Sequence, residues 1–493
     1  MSVFVDLFAY LCLLRIVSSS SLTAPPQSAV VVAFEDVYDL SLLANTLSDQ
    51  LIDATLIIPA SKKEDLYETL IDVEVLTVDV QIEESAYPET KAVQACEALL
   101  KDGQIAKKIQ EIRPTFVIFP ALRHDGCLIP WTKSIESIPV IWTRNRDEEV
   151  YVFEYTGAAL PVQNAGFWSR LRTIFTRRSI FSAGRDDYAT YALRIVGKYL
   201  PDTDVNLDNL YGDVRLILWG ADTVLRSDFA PLTQLIVEVG CHHCRGAQPL
   251  EGSVHELLLE FRQGTIVVLL DDNYEPLIRE LVQKLPQNRE GQAIIWKNAK
   301  FQSTDRVLQN YFVRTAIDRQ DLIGYSRTRV VLSHCGDTEL LEAGFHGRPV
   351  LCFPRNTHES KNSARATQLG FARSTEDLRA ISGEEISNTV NQLHEMPEYR
   401  ENARRVSLAI RDRINPAVDR LIYWLGYMAK TKDGNMELFS PMNPVRTPSE
   451  DLQFFLGLFV GGILGIFATV GCMVARYIFI SRRTQRSKGR YTR

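Results

Sequence analysis

The sequence predicts an α/β protein of two Rossmann-like lobes, followed by a single transmembrane helix. Three observations carry this expectation. Apolar runs of strand length alternate with longer stretches of helical character, as in parallel-sheet domains. The alternation occurs twice, on either side of a loop-like stretch at 240–252. Near the C-terminus, residues 454–475 (FFLGLFVGGILGIFATVGCMVA) carry no charge.

Residues 1–24 read as a secretory signal peptide. A short apolar stretch at 7–17 is followed by small residues suited to cleavage, although the usual basic start is missing. The first lobe spans 25–245. Residues 28–33 (SAVVVA) read as a buried parallel strand, 40–51 as a helix and 54–58 as the next strand. Residues 115–119 (TFVIF) and 138–142 (IPVIW) are further strands, and 168–200 is polar and helical. The second lobe spans 246–430. It holds strands at 265–270, 293–296, 330–332 and 350–353, a helix at 276–284, and closing helices at 385–395, 399–413 and 416–428. Two such lobes place a ligand cleft at the carboxyl ends of their strands. A linker at 431–452 leads to the span at 453–476 and a tail at 477–493. A 22-residue helix is about 33 Å long, close to the hydrocarbon thickness of a bilayer. The tail contains Arg482, Arg483, Arg486, Lys488, Arg490 and Arg493 and no acid. The positive-inside rule therefore predicts a single-pass type I protein with the tail in the cytosol and the body on the other side.

Composition narrows the functional classes. The 493 residues suffice for two domains of roughly 200 residues each plus targeting segments. A net charge of -6 gives no reason to expect nucleic acid as the ligand. Of eight cysteines, Cys12 lies in the signal and Cys472 in the span, and six in so large a body do not make a disulfide scaffold. Cys241-His242-His243-Cys244 has the spacing of half a zinc site, but the second half is missing, so no metal is expected. Gly457, Gly461 and Gly465 recur every four residues in the span, a spacing used by transmembrane helix pairs.

Residues 321–354 read DLIGYSRTRVVLSHCGDTELLEAGFHGRPVLCFP. This stretch resembles the signature region of the UDP-glucuronosyltransferases, the membrane-bound branch of the GT-B UDP-glycosyltransferases. The family pattern is a strand ending in Thr-His-Gly-Gly, a helix carrying a Glu, then His-Gly-x-Pro and a strand ending in Pro. Here stand Ser333-His334-Cys335-Gly336, Glu342, His346-Gly347-Arg348-Pro349 and Pro354. Pro397, Tyr399, Glu401, Asn402, Ala403, Ser407, Pro416, Asp419, Arg420 and Trp424 continue the likeness, and 240–249 (GCHHCRGAQP) resembles the loop opening the family's second lobe. The resemblance implies a GT-B fold, residence in the endoplasmic reticulum membrane, and transfer of a hexose or glucuronic acid from a UDP-sugar to a small lipophilic acceptor. It implies no cofactor beyond the UDP-sugar as co-substrate.

The resemblance also names residues, and here the departures outnumber the matches. The family's base, a His after the first strand, corresponds to Val37 or Tyr38, and its orienting Asp corresponds to Pro120. No intact catalytic residue is expected; Asp36, Asp39 and His124 are the available substitutes. The Gly-Ser turn after 265–270 is replaced by Asp271-Asp272. Two such charges about 4 Å apart repel by roughly 4 kcal/mol at an effective dielectric near 20, which would weaken UDP binding. The uracil-stacking Trp and following Gln correspond to Ala316 and Arg319, the Ser-Asn pair to Asp337 and Thr338, and the sugar-holding Asp-Gln pair to His358 and Glu359. Nucleotide binding is left to His334 and Gly336 at the diphosphate, Glu342 at the ribose, and Arg319 within reach of a phosphate. The resemblance, with these departures, implies a degenerate active site: a non-catalytic protein binding a lipophilic ligand, a second copy or a related transferase, with a divergent transferase as the alternative.

Overall fold

The computed structural model describes residues 27–67, 69–80, 88–121, 124–144, 192, 194–203, 214, 216–226, 236–286, 288–297, 309–314, 317–378, 381–430 and 448–488. The expected signal peptide, most of 168–200, Ala316 and the body of the linker lie outside them.

Two parallel sheets form the body. The first contains β1 (Ser28–Val32), β2 (Asp53–Pro59), β3 (Glu74–Val78), β4 (Phe116–Pro120), β5 (Ile138–Thr143), β6 (Leu216–Trp219) and β7 (Ile236–Glu238), in the order β3-β2-β1-β4-β5-β6-β7. The second contains β8 (Thr265–Leu269), β9 (Ala293–Trp296), β10 (Tyr311–Val313), β11 (Thr328–Ser333), β12 (Val350–Cys352) and β13 (Ala372–Ser374), in the order β10-β9-β8-β11-β12-β13. Every described strand pair is parallel. This is why the strands read as continuous apolar runs: a parallel sheet is covered on both faces. In β1, Ala29 and Val31 face one core while Val30 and Val32 face the other. Of the four described three-residue strands, β12 is buried throughout and reads as an apolar run, whereas β7, β10 and β13 each carry a partly exposed residue and leave no such signal.

Helices α1 (Val37–Asp49), α2 (Pro88–Lys101), α3 (Gly103–Ile112) and α4 (Asp125–Ser134) belong to the first lobe. The second carries α5 (Gly252–Leu259), α6 (Glu275–Lys284), α7 (Arg319–Gly324), α8 (Asp337–Phe345), α9 (Thr357–Gln368), α10 (Gly383–Glu395) and α11 (Pro397–Arg411). Local chemistry sets several starts. Asp102 accepts from the amides of Gln104 and Ile105 ahead of α3, and Asn356 accepts from Glu359 ahead of α9. Helix α12 (Ala417–Lys430) departs from the expected boundary at 430. Leu421, Leu425 and Met428 pack with Leu40, Leu43 and Leu47 of α1, so α12 returns to the first lobe. An apolar face can be buried on whichever sheet offers a complementary surface, and sequence position does not say which.

The last helix, α13 (Pro448–Lys488), runs 41 residues. Its stretch Leu456–Arg482 is long and apolar enough to cross a membrane, with mean hydropathy 2.2 and none of it buried in the body. The expected span and the first part of the basic tail are therefore one continuous helix.

The six remaining cysteines pair. Cys96–Cys127 ties α2 to α4, Cys335–Cys352 ties the ends of β11 and β12, and Cys241–Cys244 closes the turn between the lobes. Their positions left this pairing unread. The last bridge also disposes of the half zinc site, because a disulfide offers no thiolates to a metal.

Candidate functional site

The carboxyl ends of the two sheets meet. From the first lobe come the turn after β1 (Phe34, Glu35 and Asp36), the start of α1 (Tyr38 and Asp39), His124 after β4, and Arg144 after β5. From the second come the turns after β8, β11 and β12. This is where a cleft was expected, and the side chains across it hold one another.

The residues expected to touch a nucleotide are engaged internally. Arg319, at the start of α7, donates to both carboxylate oxygens of Glu342 on α8, at 2.6 and 2.7 Å. Glu342 is 1% exposed and Arg319 is 6% exposed. The ring of Tyr38, from the opposite lobe, lies 4.6 Å from the Arg319 guanidinium carbon. His243 Nε2 is 3.4 Å from Glu342. Burial alone would raise the Glu342 carboxyl; the charge of Arg319 and the contact with His243 outweigh it and bring it down to about 2. A carboxylate held this way is saturated, and Arg319 is turned onto Glu342 rather than free for a phosphate.

His334 ends β11 as expected, but both its ring nitrogens are used. Nδ1 lies 2.8 Å from the Phe353 carbonyl, and Nε2 lies 3.1 Å from the Asp271 amide, which donates to it. With Nδ1 carrying the proton, no ring N–H remains for a diphosphate. The Asp271 carboxylate is 3.5 Å from Nε2 and 2.7 Å from Arg355, which also forks onto Glu359 at 2.7 Å. The expected repulsion at Asp271-Asp272 is thus corrected: Arg355, from the turn after β12, neutralises Asp271. Gly336 leads into α8 with open space beside it.

The next residues of α8 are the centre of a buried charge network between lobes. Asp337 accepts from His358 Nε2 at 2.7 Å and from Asn362 at 2.9 Å, with Arg226 at 3.6 Å and Arg144 at 3.9 Å. Burial pushes its carboxyl up; the His358 hydrogen bond and charge, then Arg144 and Arg226, outweigh this and hold it well below the usual range. Thr338 donates to Asp39, and Asp39 pairs with Arg144. Tyr67 of the first lobe donates to Asp318 at 2.6 Å. His358 and Glu359, expected at the sugar, are therefore engaged by Asp337 and Arg355.

The three substitute bases fare no better. Asp39 is held by Thr338 and Arg144. Asp36 sits in the left-handed region (φ 52°), 4.0 Å from Arg144. His124 is 2% exposed, 3.9 Å from Glu35, and packs on Phe34 with ring centroids 5.4 Å apart. Among the described residues, no group of three or more His, Cys, Asp or Glu side chains is arranged to hold a metal ion. Sequence reasoning missed Arg144, Arg226, Arg355 and Tyr67. Arg144 and Arg355 carry a usable signal, a charge directly after an apolar strand at the cleft end of a sheet.

The sequence model of the family described as UDP-glucoronosyl and UDP-glucosyl transferase matches residues 185–441. Mouse (Mus musculus) UDP-glucuronosyltransferase 2A2 is 25% identical over 225 residues, which cover 44% of this chain and 40% of that protein. Human (Homo sapiens) UDP-glucuronosyltransferase 2B15 is 24% identical over 203 residues, 39% of this chain and 37% of that protein. The chain thus matches less than half the length of these relatives. A UDP-glucosyltransferase from Polygonum tinctorium superposes with a TM-score of 0.56 at 14% identity, over 83% of this chain and 100% of that one. The calicheamicin glycosyltransferase CalG4 gives 0.54 at 15% identity, over 82% and 99%. At such identities the structural likeness speaks to the fold, which is GT-B.

Proposed function

We propose a function from one premise: this chain belongs to the UDP-glucuronosyl and UDP-glucosyl transferase family. We infer that it is a non-catalytic member, a membrane-anchored GT-B body whose nucleotide cleft is filled by its own side chains. It acts by binding a small lipophilic ligand or a partner in the same membrane, a second copy or a related transferase. The observation that carries this reading is the Arg319–Glu342 ion pair under Tyr38. It engages the carboxylate that the resemblance assigns to a ribose and turns the Arg319 guanidinium away from a phosphate. The spent positions around Asp337 and the occupied His334 support it. The basic tail supports a single-pass type I orientation with the body in the lumen of the endoplasmic reticulum, and Gly457, Gly461 and Gly465 offer a helix face for self-association.

The test is calorimetric titration of UDP and UDP-glucuronic acid into the full-length chain in neutral detergent. No binding is expected up to about 1 mM; micromolar affinity would overturn the reading. A second reading, a divergent transferase moving a hexose or glucuronic acid onto a lipophilic acceptor, draws on one feature. His334 and Gly336 still stand at the start of α8, and a helix N-terminus favours a phosphate. Transfer of label from a UDP-sugar to a lipophilic phenol would establish it.

A further inference from the structure

The second lobe has another charged face, at the amino ends of its strands and away from the cleft. Arg327 and Arg329 flank the first residue of β11, and Arg348 precedes β12 by two residues. The parallel register pairs Val331 with Val350. Continued two residues back, it sets Arg329 level with Arg348. Helix α11 closes the cluster. A Cβ added to Gly347 would lie 3.6 Å from the Cα of Arg404, and Arg400 is one turn earlier on the same helix. The Arg329 side chain folds over Gly264, where an added Cβ would come within 2.9 Å of its Nε.

Backbone carbonyls answer two of these five charges. Arg327 donates to the carbonyl of Phe261 at 2.6 Å. Arg348 donates to those of Ile323, Gly324 and Tyr325 at 3.0, 3.1 and 2.7 Å, at the negative end of α7. The other three have no such answer. Among the described residues, no carboxylate lies within 4 Å of Arg329, Arg400 or Arg404, and Arg329 Nε is buried without a hydrogen-bond partner. The crowding is felt locally: burial first, then Arg400 and Arg327, lower the Arg329 guanidinium below its ordinary value. Arg400 and Arg404 are exposed, so the group opens to solvent. Like charges gathered without a counter-charge weaken a fold unless an anion is supplied from outside. Guanidinium forks fit phosphate oxygens in pairs, which a scattered set of lysines would not do.

We propose that this face binds a phosphate-bearing anion, with Arg329, Arg400 and Arg404 as its ligands and Arg327 and Arg348 fixed beneath them by carbonyls. The same chemistry is offered by a free phosphate compound and by a phospholipid headgroup, and the test separates them. The full-length chain in neutral detergent at low salt is titrated with pyrophosphate and, separately, with a soluble short-chain phosphatidylinositol phosphate, with thermal unfolding as the readout. Either probe is expected to raise the melting temperature, pyrophosphate if free phosphate suffices and the lipid alone if the headgroup is required. The variant R329Q/R400Q/R404Q is expected to bind about tenfold more weakly or worse, while melting no lower than the parent without ligand. Three results would overturn the proposal: no shift with either probe, an equal shift with sodium chloride at matched ionic strength, or an unchanged response in the variant. Binding in the nucleotide cleft would survive the triple substitution, so the non-catalytic reading and this site fail separately.

Discussion

The two ends of the second sheet treat charge in opposite ways. At the carboxyl ends, the ionisable groups expected from the sequence to face a nucleotide are met by partners from the same chain. Arg319 meets Glu342, Arg355 meets Asp271 and Glu359, and His358 and Arg226 meet Asp337. At the amino ends, Arg329, Arg400 and Arg404 stand together and no carboxylate meets them among the described residues. Compensation within the chain removes the reason for a ligand, and its absence creates one. A transferase cleft is ordinarily the under-compensated end, because the substrate supplies the missing charge. In this chain the cleft is the compensated end, and the opposite end carries the unanswered charge.

The sharpest way to break this comparison is to remove one partner at the compensated end. Arg319→Ala leaves Glu342 buried without its guanidinium, with only His243 beside it, and is expected to cost about 3–5 kcal/mol in urea unfolding of the full-length chain in detergent. Arg319→Leu with Glu342→Leu removes both charges and is expected to unfold near the parent, within about 1–2 kcal/mol, because the desolvation of two ions is no longer required. A single substitution without effect would show that the pair is not a desolvated ion pair that the fold depends on.

Acid offers a second test. Burial, then the neighbouring His243, brings His242 down to about 3; burial, outweighing Glu342, brings His346 down to about 4. Both are neutral in the folded chain, while the unfolded chain takes up protons below about 6.5. Stability therefore falls as pH drops below that value, until each folded pKa is reached. Asp222 acts the other way. Burial and then Glu238 raise its carboxyl to about 6, so the folded chain holds the extra proton and gains as pH falls through 6. Between pH 7 and 5 each histidine costs about 2 kcal/mol and Asp222 returns about 1, for a net loss on the order of 3 kcal/mol. An unfolding midpoint unchanged between pH 7 and 5 would contradict this.

Between the lobes, Asp39 ties α1 to α8 through Thr338 and holds Arg144. Asp39→Asn keeps the shape and removes the charge, with an expected loss of about 1–3 kcal/mol. Faster proteolysis at the lobe junction should accompany it, and equal cleavage of parent and variant would mean that this contact does not hold the lobes together.

Much of the fold was legible, and the reason is physical. A strand buried on both faces must be apolar throughout, so 28–33, 265–270 and 350–353 stood out. The cleft was legible by position and illegible in arrangement. Arg319 and Glu342 were singled out, but nothing in their separation of 23 residues says that one grips the other. Asp271 and Asp272 read as repulsive because Arg355, 84 residues away, had no visible claim on them. The return of α12 to the first lobe was hidden for the same cause: amphipathicity marks a buried face without naming what covers it.

The smallest expected effect has the opposite sign and lies at the other end of the sheet. Arg329 gains no hydrogen bond through its buried Nε and stands level with Arg348 on the neighbouring strand. A like-charge pair across adjacent strands destabilises by roughly 0.2–1 kcal/mol. Arg329→Gln keeps much of the aliphatic stem and removes the charge, so it should stabilise the chain by about 0.5 kcal/mol at low salt. Added salt should shrink that gain, since exposed charges more than about 8 Å apart are largely screened at physiological ionic strength. Urea midpoints for parent and variant at two salt concentrations measure both quantities. A loss of stability on substitution would mean that Arg329 is held by contacts worth more than the repulsion, and the contrast between the two ends of the sheet would then reduce to the cleft alone.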